Sequence, residues 1–353
     1  MEQIKEQIDK HRKEQMQIFK DECLLNGTYK QWHQELEPFR KYIQKRYIRF
    51  HIGKRLYKNR YVETEYGDIL DHHMISYLAP LDYKNIGWDN RFLHAYEQIK
   101  RISDYFRKKG IRFIYVALPN KGVIYPSLIC PDEKLMKGRT INVPQWRKYL
   151  YKVVDGGVET IDVLPIFMRM RNQCQVFSKE HNISGIGAKI ISDLIADYLK
   201  RTTKDITSGY QIEREERYYF PSDYREPEKI EELCSICLIN KNRKEKIPYW
   251  NQDTKNSKIA IFGDCNLQSY SGVGGGIAAN LAYNLQYPIY NAGRKLIFDY
   301  DDVMTEADLK KLLLNEIVIY VAFSSAPFVR SATLSVRHPS LRYKWCHLNL
   351  ENL

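Results

Sequence analysis

Cys265 stands in the segment IFGDCNLQSYSGVGGG, residues 261–276, where a hydrophobic strand ends, turns at Gly263 and gives way to a helix. A thiol there could act as a nucleophile, because N–H groups at the start of the following helix favour the thiolate and can hold a developing oxyanion. Asp264 precedes it in the same turn. A small buried cysteine filling a tight strand-to-helix turn has the same local signature, and the segment alone leaves both readings open. His181 lies in VFSKEHNISGIGAKIISDLIADYL, in a loop directly ahead of an amphipathic helix that starts with the small residues Gly185, Gly187 and Ala188.

Three other clusters carry less. Cys234 and Cys237 form a lone C-x-x-C, at most half a zinc site. The remaining thiols are far away in sequence, and a helical face with two cysteines accounts for the pair. Asp71, His72 and His73 in GDILDHHM are metal-ligand types, but a solvated turn is the simpler account. SGVGGG at 271–276 lacks the G-K-[ST] ending of a phosphate loop; its glycines read as close packing of a helix beside Cys265. No metal and no cofactor is expected.

The elements that must position these residues alternate. RFLHAYEQIKRISDYFRKKG has helical spacing and ends on Gly110, and IRFIYVALP is a continuous apolar strand closed by Pro119. VETIDVL, residues 158–164, makes a second strand, and a helix runs from Ile186 to about residue 200. Residues 201–256 are polar and charged, an insertion or linker with a short helix near Leu233–Leu238. The rhythm resumes with the strand SKIAIFGD, a helix over Ile277–Leu285, the short strand PIYNAG, a helix over Glu306–Leu314 and the strand EIVIYVAF. Alternation of this kind implies right-handed crossovers and a mostly parallel α/β sheet with helices on both faces. Ligands bind such sheets beyond the C-terminal ends of the strands, where ALPNK, FGDCN and VAFSSAP meet.

Gly263-Asp264-Cys265 resembles the G-D-S block of SGNH (GDSL-type) hydrolases, with cysteine in place of serine. The segment around His181 resembles the D-x-H-W…G-A block of alginate O-acetyltransferase-type SGNH proteins. KKGIRFIYVALPNKGVIYPSLI resembles the strand-and-loop segment of that family that ends in P-x-K-x-x-i-Y-P. In that family the histidine block precedes the nucleophile block, a circularly permuted order, as His181 precedes Cys265 here. The resemblance spans residues 65–200 and 257–330.

This resemblance implies a flavodoxin-like (SGNH-type) fold, with Cys265 as nucleophile and His181 as base. The implied chemistry is acyl-ester hydrolysis or O-acetyl transfer on a glycan or another hydroxyl substrate. For the oxyanion it implies the N–H of Asp264, Gly293 with Asn291 nearby in YNAGRK, and Ser324 or Ser325 where the family has asparagine. Two departures stand out: the family's aspartate falls on Lys179 and its tryptophan on Asn182. Glu180 is the candidate orienting acid left beside the histidine. A thiol ionises more easily than a hydroxyl, so it depends less on that acid, although control of the histidine tautomer is lost. The competing reading is a catalytically degenerate module that binds carbohydrate or a protein partner.

The whole chain, 353 residues with 44% hydrophobic and 28% charged, is long enough for one large α/β domain with appendages. Residues 1–60 read as a basic helical extension, 61–200 and 257–353 as the two parts of the α/β domain, and 201–256 as the insertion. Phe39, Tyr42, Ile43, Tyr47 and Phe50 form a helical stripe with Lys41, Lys45, Arg46 and Arg49 opposite. The net charge is +12, and residues 40–60 hold nine Lys or Arg and no acid. Contact with an anionic surface through this stretch is one reading, and a solvated face is the simpler one. The polar start, the absence of an apolar run of about 20 residues and seven scattered cysteines point to a cytoplasmic protein with reduced thiols. Oligomeric state leaves no mark on the sequence.

Overall fold

The computed structural model describes residues 2–26, 29–51, 54–57, 61–63, 69–71, 88–137, 141, 144–179, 182–204, 206, 211–219, 232–241, 245–250, 257–294 and 305–323. The chain starts in three helices, α1 (Glu2–Asn26), α2 (Tyr29–Glu35) and α3 (Glu37–Tyr47). On α3 the expected stripe is present: Phe39, Ile43 and Tyr47 are buried, while Lys41, Lys45 and Arg46 face solvent. The helix ends sooner than expected. Ile48–His51 (β1) and Lys54–Tyr57 (β2) pair as an antiparallel hairpin, so Arg49 and Phe50 belong to a strand. The alternation of Ile48 and Phe50 ahead of Gly53 is a hairpin signal that the longer helical stripe had masked. Tyr61–Glu63 (β3) and Ile69–Asp71 (β4) form a second antiparallel pair.

The N-terminal helices are part of the main core rather than an appendage. Phe19 of α1 is fully buried, His11 Nε2 donates to the Thr160 carbonyl at 3.0 Å, and Arg12 Nε donates to the Val154 carbonyl at 3.2 Å. Arg147, fully buried, is ion-paired to Glu22 and donates to Asp162 Oδ2 at 2.7 Å. Removing one partner of such a buried set would strand a charge, at a cost of about 3–5 kcal/mol.

The α/β body continues with α4 (Trp88–Lys108), β5 (Arg112–Leu118), α5 (Lys121–Ile124), α6 (Pro144–Asp155), β6 (Glu159–Asp162), α7 (Leu164–Met170) and α8 (Gly185–Thr202). After an intervening region come β10 (Ile259–Gly263), α9 (Cys265–Gln268), α10 (Ile277–Leu285), β11 (Ile289–Arg294), α11 (Glu306–Leu312) and β12 (Ile317–Phe323). Five strands form one sheet in the order β11-β10-β12-β5-β6, and every pairing is parallel. The continuous apolar runs take the three inner places, where both faces are covered by helices; Phe113–Leu118, Ile259–Gly263 and Ile317–Ala322 are all buried. From β10 the chain passes to β11 on one side, and from β5 it passes to β6 on the other. The crossovers therefore diverge about β12, the arrangement in which ligands bind beyond the carboxyl ends of the central strands.

The intervening region differs from expectation. In place of a linker with a short helix there is a three-stranded antiparallel sheet: β7 (Ile212–Tyr219), β8 (Glu232–Lys241) and β9 (Glu245–Pro248). Residues Leu233–Leu238 are a strand because both of its faces find cover. Cys237 packs into the main core, while Cys234, Ile236 and Leu238 pack on Tyr270 and Val273. No helix among the described residues is long and apolar enough to cross a membrane.

Candidate active site

The candidate nucleophile sits where the central strand β10 leaves the sheet. Gly263 is required there: a Cβ would lie 2.0 Å from the Val321 carbonyl oxygen. Asp264 follows, almost fully buried, and fastens two strand ends together. Its N–H donates to the Val321 carbonyl at 3.0 Å, extending the β10–β12 ladder, and its Oδ2 accepts the Phe323 N–H at 2.7 Å. Its Oδ1 accepts the N–H of Asn266 at 2.9 Å, so Asp264 is also the N-cap of α9. Cys265, partly exposed, is the first residue of that single turn, at the sheet's carboxyl edge. The helix expected over Ile277–Leu285 is present as α10 with those bounds.

His181, Glu180 and Ser324 lie outside the described residues. The chain on both sides of the histidine is described. Phe177 and Ile183 form an antiparallel bridge, and the Ser178 N–H donates to the Asn182 carbonyl at 2.9 Å, so the ends of the histidine segment are held together. Asn266 reaches this segment from the cysteine turn: fully buried, it accepts the Ile183 N–H at 3.0 Å and donates Nδ2 to Asp264 Oδ1 at 2.9 Å. Lys121 reaches it from the loop after β5. Its ammonium, 1% exposed, donates to the carbonyls of Ser178 at 2.7 Å and Lys179 at 3.0 Å. The start of α8 then presses against two strands of chain: a Cβ on Gly187 would lie 2.1 Å from the Val176 carbonyl, and one on Gly185 2.3 Å from Cys234 Sγ.

Asn266, Lys121 and the Glu232–Tyr270 pair were not singled out from the sequence as site residues. The Tyr270 hydroxyl donates to Glu232 Oε2, and Glu232 belongs to β8, in the region expected to be a linker. Lys121 carried the only available signal, since it falls in the P-x-K portion of the motif after β5.

Of the expected oxyanion helpers, Asp264 and Gly293 lie at the carboxyl ends of β10 and β11, and their N–H groups have acceptors. Gly293 lies past a register shift in β11, beside Phe262 of β10, with φ +76°. Its N–H donates to Asn291 Oδ1 at 2.9 Å. The N–H of Asp264, as above, is held by Val321. The C-x-x-C is on a strand rather than a helix, and its two thiols face opposite sides of β8. Burial pushes both thiols up to about 12, the state of packed thiols rather than of metal ligands. Asp71 closes β4, while His72 and His73 lie outside the described residues. Among the described residues no cluster could hold a metal ion. The glycines at 274–276 pack against β8 and the Ser269 carbonyl instead of lining a phosphate site.

No protein-family model and no curated protein sequence matches the chain. Among solved structures it is similar to the O-acetyltransferase domain of Pseudomonas putida AlgJ, with TM-score 0.51 and 12% identity over 76% of this chain and 92% of that one. It is also similar to Pseudomonas aeruginosa AlgX (TM-score 0.48, 17% identity, 78% and 67% covered) and to Bacillus cereus PatB1 (0.45, 10%, 74% and 93%). The AlgJ likeness is one of fold, and the fold is SGNH-like: a parallel five-stranded sheet flanked by helices.

Proposed function

We propose that the protein hydrolyses or transfers O-acyl groups, with Cys265 as nucleophile and His181 as general base. The observation that supports it is the Asn266 bridge. One buried side chain ties the turn carrying Cys265 to Ile183, two residues past His181, and so joins the two segments that would have to react together. The AlgJ domain is described as an O-acetyltransferase, which favours an acetyl group moved between oxygens. A glycan as the hydroxyl partner rests on the resemblance of the His181 segment to alginate O-acetyltransferase-type proteins.

In this reading His181 takes the thiol proton, and the Cys265 thiolate attacks the acyl carbonyl. Collapse of the tetrahedral adduct leaves a thioester and expels the donor alkoxide, which takes the proton from His181. An acceptor hydroxyl, or water, then gives its proton to His181 and attacks the thioester; the new ester or acid departs and the thiolate is reprotonated. An oxyanion at Gly293 competes with Asn291 Oδ1 for the same N–H.

Incubation with p-nitrophenyl acetate tests the reading. An acetyl-sized mass increase on the Cys265 peptide, absent in Cys265→Ala together with turnover, is the expected result. No adduct on Cys265 and unchanged turnover in Cys265→Ala would overturn it. A second reading, a fold retained for binding carbohydrate or protein, is favoured by the engaged N–H groups of Asp264 and Gly293 and by Lys179 at the acid's place. Saturable oligosaccharide binding without any acyl adduct would establish that alternative.

A further inference from the structure

Gln268 closes α9, the single turn that Cys265 opens. Side chains three residues apart on a helical turn are neighbours, with Cβ atoms about 5–6 Å from each other. The turn packs against β11 and β12. On β11 its amide reaches Gly293: the place a Cβ would take on that glycine lies 3.8 Å from Gln268 Nε2. Apart from the adjoining chain, no other heavy atom among the described residues comes within 4 Å of that place. Gly293 has φ +76°, a conformation that suits glycine, so the space beside α9 is open and an amide donor bounds it. The backbone of Gln268 is held, its carbonyl accepting from Ser271 Oγ at 2.7 Å. Its side-chain amide, on an exposed residue, makes no hydrogen bond among the described residues.

The backbone donors expected for the oxyanion are engaged, the Asp264 N–H by the Val321 carbonyl at 3.0 Å and the Gly293 N–H by Asn291 Oδ1 at 2.9 Å. A side-chain amide offers two N–H groups and has no acceptor to surrender here. We infer that Gln268 is an oxyanion donor for the reaction of Cys265, supplied from the nucleophile's own turn. The inference rests on Cys265 as the nucleophile of the proposed function and asks nothing further of the base. The thiolate pair forms the C–S bond, the carbonyl π pair moves onto oxygen, and Nε2 donates a hydrogen bond to that oxygen. No proton leaves the amide. When the adduct collapses, the C=O bond re-forms and the bond to the donor alkoxide breaks. The hydrogen bond is stronger to the charged oxygen than to the ester carbonyl, so it acts on the rate rather than on affinity.

The test compares two reactions of one thiol in the full-length protein, both read by mass on the Cys265 peptide. Acetylation by p-nitrophenyl acetate passes through an oxyanion. Alkylation by iodoacetamide attacks a saturated carbon and builds none. Gln268→Met keeps the length of the side chain and removes the donor. It should slow acetylation by about 10- to 100-fold, as deletion of an oxyanion donor does, and leave alkylation at the parent's rate. Gln268→Ala should match it, and both variants should melt at the parent's temperature, because the residue is exposed. Acetylation that equals the parent's in Gln268→Met overturns the inference and leaves the proposed function standing. An equal loss in both reactions also overturns it, because the glutamine would then act on ionisation of the thiol or on access to it. A parent protein that is alkylated at Cys265 but never acetylated there refutes the proposed function, and the inference falls with it.

Discussion

The side chain of Asn266 accepts the backbone N–H of Ile183 at 3.0 Å and donates to Asp264 Oδ1 at 2.9 Å, joining positions 83 residues apart. Asp264 in turn holds the end of β12 through the Phe323 N–H. The ends of β10 and β12 and the chain just past the histidine therefore share one buried polar network. Such networks are valuable when complete and costly when broken.

Asn266→Ala should destabilise the fold by about 2–4 kcal/mol, because it leaves the Ile183 N–H buried without its acceptor and removes one of the two residue-266 donors to Asp264 Oδ1. Urea unfolding measures this. Asn266→Asp should be at least as damaging, since it sets a second carboxylate beside Asp264 and removes the amide donor.

Lys121→Met removes the donor to two carbonyls at the root of the histidine segment. Hydrogen exchange at residues 178–184 should speed up well beyond any global loss of stability. Unaltered exchange there would show that the lysine holds nothing in place.

Gly263→Ala tests the close approach of β10 to β12. A methyl group 2.0 Å from the Val321 oxygen cannot be relieved by a side-chain rotation, so the strands must separate. A loss of about 2–4 kcal/mol is expected by urea titration, together with loss of the Asp264 contacts that depend on the strand spacing.

The thiols should separate by reactivity. Among the five described cysteines, Cys130, Cys234 and Cys237 are buried, and burial pushes their thiols up, to about 12 for Cys234 and Cys237. Those two should resist Ellman's reagent at pH 8 in the native state and react after denaturation. Both are protonated in the folded protein at a pH where an unfolded thiol, with pKa about 8.5, has lost its proton. The folded state thus binds more protons, and their contribution to stability is present below about pH 8.5 and is lost as pH rises towards 12. The urea midpoint should be lower at pH 10 than at pH 7.

Cys265→Ser restores the residue type of the resembled family without restoring an aspartate at Lys179. Because a hydroxyl needs a base far more than a thiol does, acylation at neutral pH should fall by roughly 100-fold or more. A serine variant as fast as the parent would mean that His181 is already well oriented and strongly basic.

The sequence by itself determined the elements whose patterns repeat locally. IRFIYVALP, SKIAIFGD and EIVIYVAF are uninterrupted apolar runs, and only a strand covered on both faces uses such a run; all three became inner strands. The helical spacing from Ile186 onward likewise became α8, and GDC fell at the end of a strand ahead of a turn of helix. ELCSICLINK was not legible. A short apolar run with cysteines is compatible with helix or strand, and the choice followed from two distant surfaces, the main core on one side and Tyr270 with Val273 on the other. The end of α3 at Tyr47 was lost for a similar reason, since the aromatic period continues past it while the backbone turns into a hairpin. The polar contacts around the candidate site were least visible. Asn266 meets Ile183, Lys121 meets Ser178 and Glu232 meets Tyr270 across 83, 57 and 38 residues of chain. No local spacing encodes those pairs. Only the order of the strands, and the glycines that let backbones touch, brings them together.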